Sequence, residues 1–255
     1  MRNSPPQSIL ISGASSGIGA ALAILYANTG VHLYLSGRDA ARLRAVGEDC
    51  RRRGASVNET VIDVRDRAAM AAWVLAADDA HPLDLIVANA GVAMSGTAGE
   101  DDDTRVREIF AVNLDGVLNT VLPVLSRLQK RRSGQIALIS SIAGYRGVPG
   151  SPAYSASKAA VKAWGEGLRG RYAGDGIRVS VVCPGFVVSR MTATNAFPMP
   201  FLMPAAKAAA IIRRGLERNR PRITFPWPMA LGAWLAMALP PRLSDWLMGR
   251  LPRKE

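Results

Sequence analysis

Six short runs along the chain are nearly continuous in apolar residues: Ser8–Ser12, Val31–Ser36, Val57–Ile62, Leu83–Ala88, Gln135–Ser140 and Ile177–Cys183. A strand with one face in water alternates apolar and polar residues, whereas a strand buried on both faces reads as an unbroken run. Longer segments with apolar positions at helical spacing lie between the runs, among them Ala20–Asn28, Ala40–Arg53 and Thr104–Lys130. Gly30, Gly54, Gly134 and Gly176 each precede a run, where helix C-caps belong. A seventh short strand is predicted at Arg222–Phe225. Alternating strands and helices predict an α/β fold, a doubly wound parallel sheet of about seven strands with helices on both faces and right-handed crossovers. There is no internal repeat and no linker that would split the chain. The expected organisation is one domain over residues 1–222 and an apolar, basic extension, 223–255, packed on it.

The chain has 255 residues, of which 49% are apolar, enough for a sizeable core. Its two cysteines, Cys50 and Cys183, make no disulfide framework and read as reduced core thiols. The apolar run Ile9-Leu10-Ile11 is too short for a signal-peptide core, so the default compartment is the cytoplasm. A net charge of +12 raises the question of nucleic acid, but the charge is not gathered into a basic motif interleaved with aromatics, and no nucleic-acid partner is predicted. Arg51-Arg52-Arg53 precedes Gly54 at an expected helix end, where cations complement the helix dipole. The charge is uneven: Arg213–Glu255 holds nine basic and three acidic residues, half of the net total.

The first run leads into Ser12-Gly13-Ala14-Ser15-Ser16-Gly17-Ile18-Gly19, ahead of a helix. Glycines let backbone approach a pyrophosphate, and the helix N-terminus then offers free N–H groups and a positive dipole end. The spacing is Gly-x-x-x-Gly-x-Gly, not the Gly-x-Gly-x-x-Gly dinucleotide fingerprint. After the second run, where a carboxylate would accept a ribose 2′-hydroxyl, stands Ser36-Gly37-Arg38. An arginine there suits a 2′-phosphate, so NADP(H) is favoured over NAD.

Tyr154 and Lys158 are four residues apart in a helical stretch, hence on one face. A neighbouring ammonium favours phenolate, which would make Tyr154 a general acid/base near neutral pH. Ser141, at the end of the fifth run, falls on the same rim of the sheet as the glycine turn. With these motifs in this order the chain resembles the short-chain dehydrogenase/reductase family, in its single-domain branch, from Ser8 to about Met191. The glycine turn is similar to the family's Thr-Gly-x-x-x-Gly-x-Gly, with Ser12 in the threonine place. Asp63-Val64 resembles its adenine-binding pair, and Asn89-Ala90-Gly91 its segment after the fourth strand. Asn113 matches its helix asparagine, Pro184-Gly185 its turn facing nicotinamide, and Ser189 stands where a threonine usually binds the carboxamide. The resemblance implies a Rossmann-type fold and a cofactor site that also includes Ser15, Ser16, Ile18 and Val187. It implies that Lys158 holds the nicotinamide ribose, that Ser141 polarises a carbonyl, that Tyr154 exchanges the hydroxyl proton, and that Asn113 holds a water linking Lys158 to solvent. The alternative is that Asn89 and Asn113 serve strand and helix packing alone. No metal site is predicted. The resemblance also implies a homodimer or homotetramer through the helices at Thr104–Lys130 and Pro152–Gly174. Val117, Val121, Val124 and Leu128 offer an apolar stripe for the purpose.

Residues 186–206, rich in Phe, Met and Pro, correspond to the family's substrate lid and point to an apolar carbonyl or alcohol, unless they simply cover the core. From Ile223 to Pro241 there is no charge, and prolines limit regular helix to Met229–Leu239, too short to cross a bilayer. Arg242–Leu251 has an amphipathic pattern. Peripheral contact of 223–251 with the cytoplasmic face of a membrane is the expectation, with packing over the cleft or a dimer interface as the alternative. A non-catalytic NADP sensor and a sugar-nucleotide epimerase or dehydratase are the competing functions. The intact Ser141, Tyr154 and Lys158 speak against the first. The glycine spacing and the lack of a larger C-terminal domain speak against the second.

Overall fold

The computed structural model describes residues 5–93, 102–193, 197–240 and 242–243. In chain order the elements are β1 Ser8–Ser12, α1 Gly17–Tyr26, β2 His32–Gly37, α2 Ala40–Arg52, β3 Ser56–Val61, α3 Arg67–Ala80, β4 Leu85–Ala88 and α4 Asp103–Phe110. A π-helical turn, Ala111–Asp115, joins α4 to α5, Gly116–Arg131. There follow β5 Gly134–Ile139, a 3₁₀ turn at Ile142–Gly144, α6 Pro152–Tyr172, β6 Ile177–Pro184, α7 Arg190–Ala193, α8 Ala205–Glu217, β7 Arg222–Phe225 and α9 Trp227–Ala238. All seven strands are parallel, in the order β3-β2-β1-β4-β5-β6-β7. The order reverses between β1 and β4, and there the loops leaving the two strands diverge and open a crevice.

Successive strand residues face opposite layers. Ile9 and Ile11 pack with Leu22, Leu43, Ile212 and Leu216 from α1, α2 and α8. Leu10 packs with Met70, Val74, Val121 and Val161 from α3, α5 and α6. Burial on both faces is why β1, β4 and β5 read as unbroken apolar runs. β3 departs from the expectation: it is the edge strand, Val61 is exposed, and its residues alternate around polar Asn58 and Glu59.

The apolar stripe Val117, Val121, Val124 and Leu128, read as a subunit interface, is fully buried against the sheet of the protomer. Helical spacing shows that one face is apolar, not what it meets, and here it meets the core. Gly30, Gly54 and Gly176 take left-handed conformations after α1, α2 and α6, but α5 closes on Arg132 at φ 52°, ahead of Gly134. Cys50 and Cys183 are free and buried. β7 pairs with β6 from Val181↔Arg222 to Pro184↔Phe225, so the sheet continues three residues into the segment set apart as an extension.

Candidate active site

The crevice above β1 and β4 is a cleft of about 1390 Å³ running from Arg38, Arg42 and Asp63 at one end to Met229 and Ala236 at the other. The predicted cofactor residues line it, with one exception: Gly19 lies behind the wall, as does the predicted catalytic Asn113. A Cβ on Gly19 would stand 2.4 Å from the Gly13 carbonyl oxygen, so this glycine lets α1 pack on the turn rather than approach a ligand.

The turn is held from β4. Asn89 Nδ2 donates to the carbonyls of Ser12 at 3.1 Å and Gly13 at 2.9 Å, and the Asn89 N–H donates to Ser12 Oγ at 3.2 Å. Gly13 has φ 69° and its absent Cβ would lie 2.7 Å from Ala90 Cα. Ser16 precedes α1 without a side-chain cap, so the first N–H groups of the helix keep their donors for the cleft. Bare backbone, an uncapped helix start and the cleft beside them fit a pyrophosphate.

At the Arg38 end of the cleft, Asp63 is bound by the Arg65 guanidinium at 2.6–3.0 Å; that bond chiefly, and the charge of Arg38 further, hold its carboxyl below the usual range. Arg38 is exposed on the cleft rim. Two neighbours escaped the sequence reading. Asp39 accepts the Arg42 N–H as the cap of α2, and Arg42 Nη2 pairs with the same carboxylate at 2.7 Å, leaving its buried Nε–H without a partner. The carboxylate at this corner is thus neutralised, and a second guanidinium stands beside Arg38. Arg42 was missed because it sits on the first turn of α2, beyond the strand end where a phosphate partner is sought.

Midway along the cleft, β5 and α6 bring Ser141, Tyr154 and Lys158 together. Ser140 Oγ donates to the Lys158 carbonyl at 2.7 Å and pins α6 to the end of β5. Ser141 Oγ accepts the Ala143 N–H at 3.1 Å and caps the 3₁₀ turn. Lys158 Nζ donates to the Ile139 carbonyl at 3.0 Å and lies 5.8 Å from the centre of the Tyr154 ring. Burial lowers Lys158 to about 8. Burial raises Tyr154 above its ordinary value, opposed by its hydrogen bond with the Ser141 hydroxyl. This differs from the expectation that Lys158 acidifies the phenol. The ammonium is directed at Ile139 and is itself destabilised by burial, so both groups are pushed toward neutrality.

A lysine held near 8 against 10.5 in the unfolded chain contributes stability that rises with pH across that window, because the unfolded state binds the extra proton. Raised thiols at Cys50 and Cys183 act in the opposite sense, so the contribution of Lys158 is read as the difference between the unaltered protein and Lys158→Met in urea unfolding, which should grow by about 3 kcal/mol through the window. A difference that stays constant through the window would refute the assignment.

Asn113 projects from the π turn and is fully buried. Its Oδ1 accepts the Val92 N–H at 2.8 Å, and its Nδ2 donates to the Val92 carbonyl at 2.9 Å and to Ser157 Oγ at 3.1 Å. Its carboxamide therefore ties the loop after β4 to α6. A Cβ on Gly91 would stand 3.2 Å from Asn113 Oδ1 and 3.3 Å from Lys158 Nζ, which places all three residues at one point. Widened helical turns recur at functional sites, but nothing in the composition around Asn113 announces one.

Beyond Tyr154 the cleft turns apolar. Phe186, Met191, Phe197 and Met199 line one side, with Phe186 and Phe197 edge to face at 5.9 Å. The Val188 N–H donates to the Met203 carbonyl at 2.9 Å and the Met203 N–H to the Phe186 carbonyl at 3.0 Å, which joins the two ends of this stretch. The other wall is α9, through Met229, Gly232, Ala233 and Ala236. The inner stripe of this helix covers the cleft, as the alternative reading had it. Most of Arg242–Leu251 lies outside the described residues.

A model of the short chain dehydrogenase family matches residues 7–197. An uncharacterized oxidoreductase of Myxococcus xanthus (strain DK1622) is 40% identical over 243 residues, covering 95% of this chain and 96% of that one. An uncharacterized oxidoreductase of Mycobacterium tuberculosis is 35% identical over 243 residues, covering 93% and 96%. Among solved structures, a short-chain dehydrogenase from Sphingobium yanoikuyae in complex with NADPH superposes with a TM-score of 0.80 at 25% identity, covering 97% of each chain.

Proposed function

The chain belongs to the short-chain dehydrogenase family of oxidoreductases, and from that premise we propose that it interconverts a carbonyl and an alcohol on an apolar substrate with NADP(H). The observation that carries this reading is the meeting of Ser141, Tyr154 and Lys158 between the glycine turn and an apolar chamber. When bound, the nicotinamide nucleotide supplies or takes up the hydride. Gly13, Ser15, Ser16, Gly17, Ile18, Ala90 and Gly91 would hold it along the turn, Asp63 and Val64 at the adenine, and Pro184, Gly185, Val187 and Ser189 at the nicotinamide. The Ser141 hydroxyl orients and polarises the substrate oxygen, and the Tyr154 phenol gives that oxygen a proton in reduction or takes one in oxidation. Lys158 would bind the ribose, and its ammonium, if drawn from the Ile139 carbonyl toward the ring, would favour the phenolate. Asn113 is a positioning residue that keeps α6, and with it Lys158, against the loop after β4.

A panel of apolar ketones, with NADPH consumption as the readout, tests the reading. Turnover of at least one is expected. NADPH binding with no turnover across the panel would favour a sensor instead.

The cofactor preference rests on Arg38, helped by Arg42 and the charge-paired Asp39; the Sphingobium short-chain dehydrogenase was solved in complex with NADPH. NADPH should bind tighter than NADH, and Arg38→Ala should narrow the gap by about ten- to a hundredfold, the loss of a charge-assisted phosphate contact. Equal affinities in the unaltered protein, by fluorescence titration, would remove the assignment. A dimer or tetramer is also proposed, through surfaces other than the buried stripe of α5; a monomer by light scattering at micromolar concentration would contradict it.

A further inference from the structure

Large apolar side chains are exposed in a concentrated way. Of the eleven such residues among the described ones, nine lie on the lid or on α9 and just beyond it. On α9 they are Trp227, Leu231, Trp234, Leu235 and Met237, with Trp227 exposed to 75%. Leu231, Trp234 and Leu235 are spaced one turn apart on the side away from Met229, Gly232, Ala233 and Ala236, which line the cleft. The helix therefore has no polar face. One stripe closes the substrate chamber and the other stands in solvent, contrary to the rule that an all-apolar helix is buried.

We propose that the outer stripe of α9 docks on an anionic membrane surface, and that the cleft behind it takes a carbonyl or alcohol borne by that lipid. The substrate half rests on the carbonyl–alcohol reading above; the docking half does not. Length decides the mode of contact: twelve residues give about 18 Å of helix against the roughly 30 Å of a bilayer core, so α9 lies in the interface. Tryptophan suits that depth, with an apolar ring and an N–H for the headgroups. Charge selects the occupant. No charged residue occurs from Ile223 to Pro241, exposed Arg242 follows, and Arg213–Glu255 carries half of the net +12. A second copy laid face to face would set this positive region against itself, whereas anionic lipid complements it. Phe201 and Leu202 are also exposed, directly after Pro198, Met199 and Pro200, which line the cleft together with α9.

The test uses the full chain and vesicles of phosphatidylcholine alone or mixed equally with phosphatidylglycerol. The protein should float with the mixed vesicles and far less with the neutral ones. The double variant Leu231→Glu/Trp234→Glu, altered only outside the cleft, should lose about tenfold or more of its partitioning, given the two side chains it withdraws from lipid. NADPH binding by that variant checks its folding. Independently of any fold-perturbing change, brominated phosphatidylcholine in the mixed vesicles should quench the tryptophan fluorescence of the unaltered protein, and Trp227→Phe/Trp234→Phe should diminish the quenching. With methyl undecyl ketone dissolved in the mixed vesicles, the Glu variant should show a raised apparent KM, while kcat/KM for butanone in buffer is unchanged. Absence of both flotation and quenching overturns the docking. So does a Glu variant that changes the mass by light scattering but not the flotation, which would make the stripe a contact between copies. Flotation with no turnover of either ketone would refute the catalytic reading and leave the docking standing.

Discussion

Tyr154→Phe is expected to lower turnover by about 10²–10⁴-fold, the usual contribution of a positioned proton carrier, with dinucleotide affinity nearly unchanged. The phenol is the proton carrier of the proposed chemistry, and its ring, beside Lys158 Nζ at 5.8 Å, is retained in phenylalanine. What disappears is the O–H and its bond with Ser141. The separation of the two readouts is the point: initial rates should collapse while a fluorescence titration with NADPH does not move. Substantial residual turnover would require another proton source. Direction matters as well. Burial holds the phenol above its ordinary value, so it is protonated at neutral pH, the form that carbonyl reduction needs. Reduction should therefore hold through neutral pH, and alcohol oxidation should climb as pH rises toward the phenol's range.

Gly13→Ala should weaken dinucleotide binding by about tenfold or more, because the turn must deform before it meets a phosphate. At φ 69° a side chain costs about 1–2 kcal/mol. The new Cβ would stand 2.7 Å from Ala90 Cα and 2.9 Å from the Ala90 nitrogen, backbone atoms that cannot rotate aside. Any shift there pulls on Asn89, which anchors the turn through two carbonyls. Calorimetry of ligand binding and thermal unfolding should both record the loss. Gly170→Ala is the contrasting change. Gly170 is exposed on α6 with nothing within 4 Å of its absent Cβ, so alanine there should stabilise the helix by up to about 1 kcal/mol. Equal behaviour of the two variants would mean that the turn tolerates a side chain.

The strands were legible because burial on both faces leaves an unbroken apolar run, and their ends fell within a few residues of the expectation. β3 shows the limit of that signal: Val57–Ile62 has the residues of a strand, but its place at the sheet edge is a property of the whole order of strands. The stripe from Val117 to Leu128 was visible for its spacing and misread for its partner. Residues met at strand ends, such as Ser141 and Arg38, could be placed in the cleft from topology alone. Asn113 could not, since the π turn that aims it inward has no compositional mark and its carboxamide bonds join residues 21 and 44 positions away. The inner stripe of α9 was hidden for a different reason: a helix apolar all round carries no sign of which side faces the cleft.

That wall has a consequence for how the molecule divides its tasks. α9 begins after the last strand, Arg222–Phe225, has completed the sheet. The glycine turn hangs from β1, and Tyr154 and Lys158 ride on α6, so neither depends on α9 for its place in the topology. The inner stripe is built of small residues, Gly232, Ala233 and Ala236, whose enlargement would narrow the chamber without rerouting the chain. In the proposed chemistry, selectivity would then be modular, tuned from a wall that lies outside the elements carrying Ser141, Tyr154 and Lys158. A restraint lies at the start of the helix, where a Cβ on Gly185 would meet Met229 Sδ at 2.9 Å and Pro226 Cδ at 3.0 Å, and another where α9 packs on the turn Ile142–Gly144, so a replacement helix must still seat itself on both.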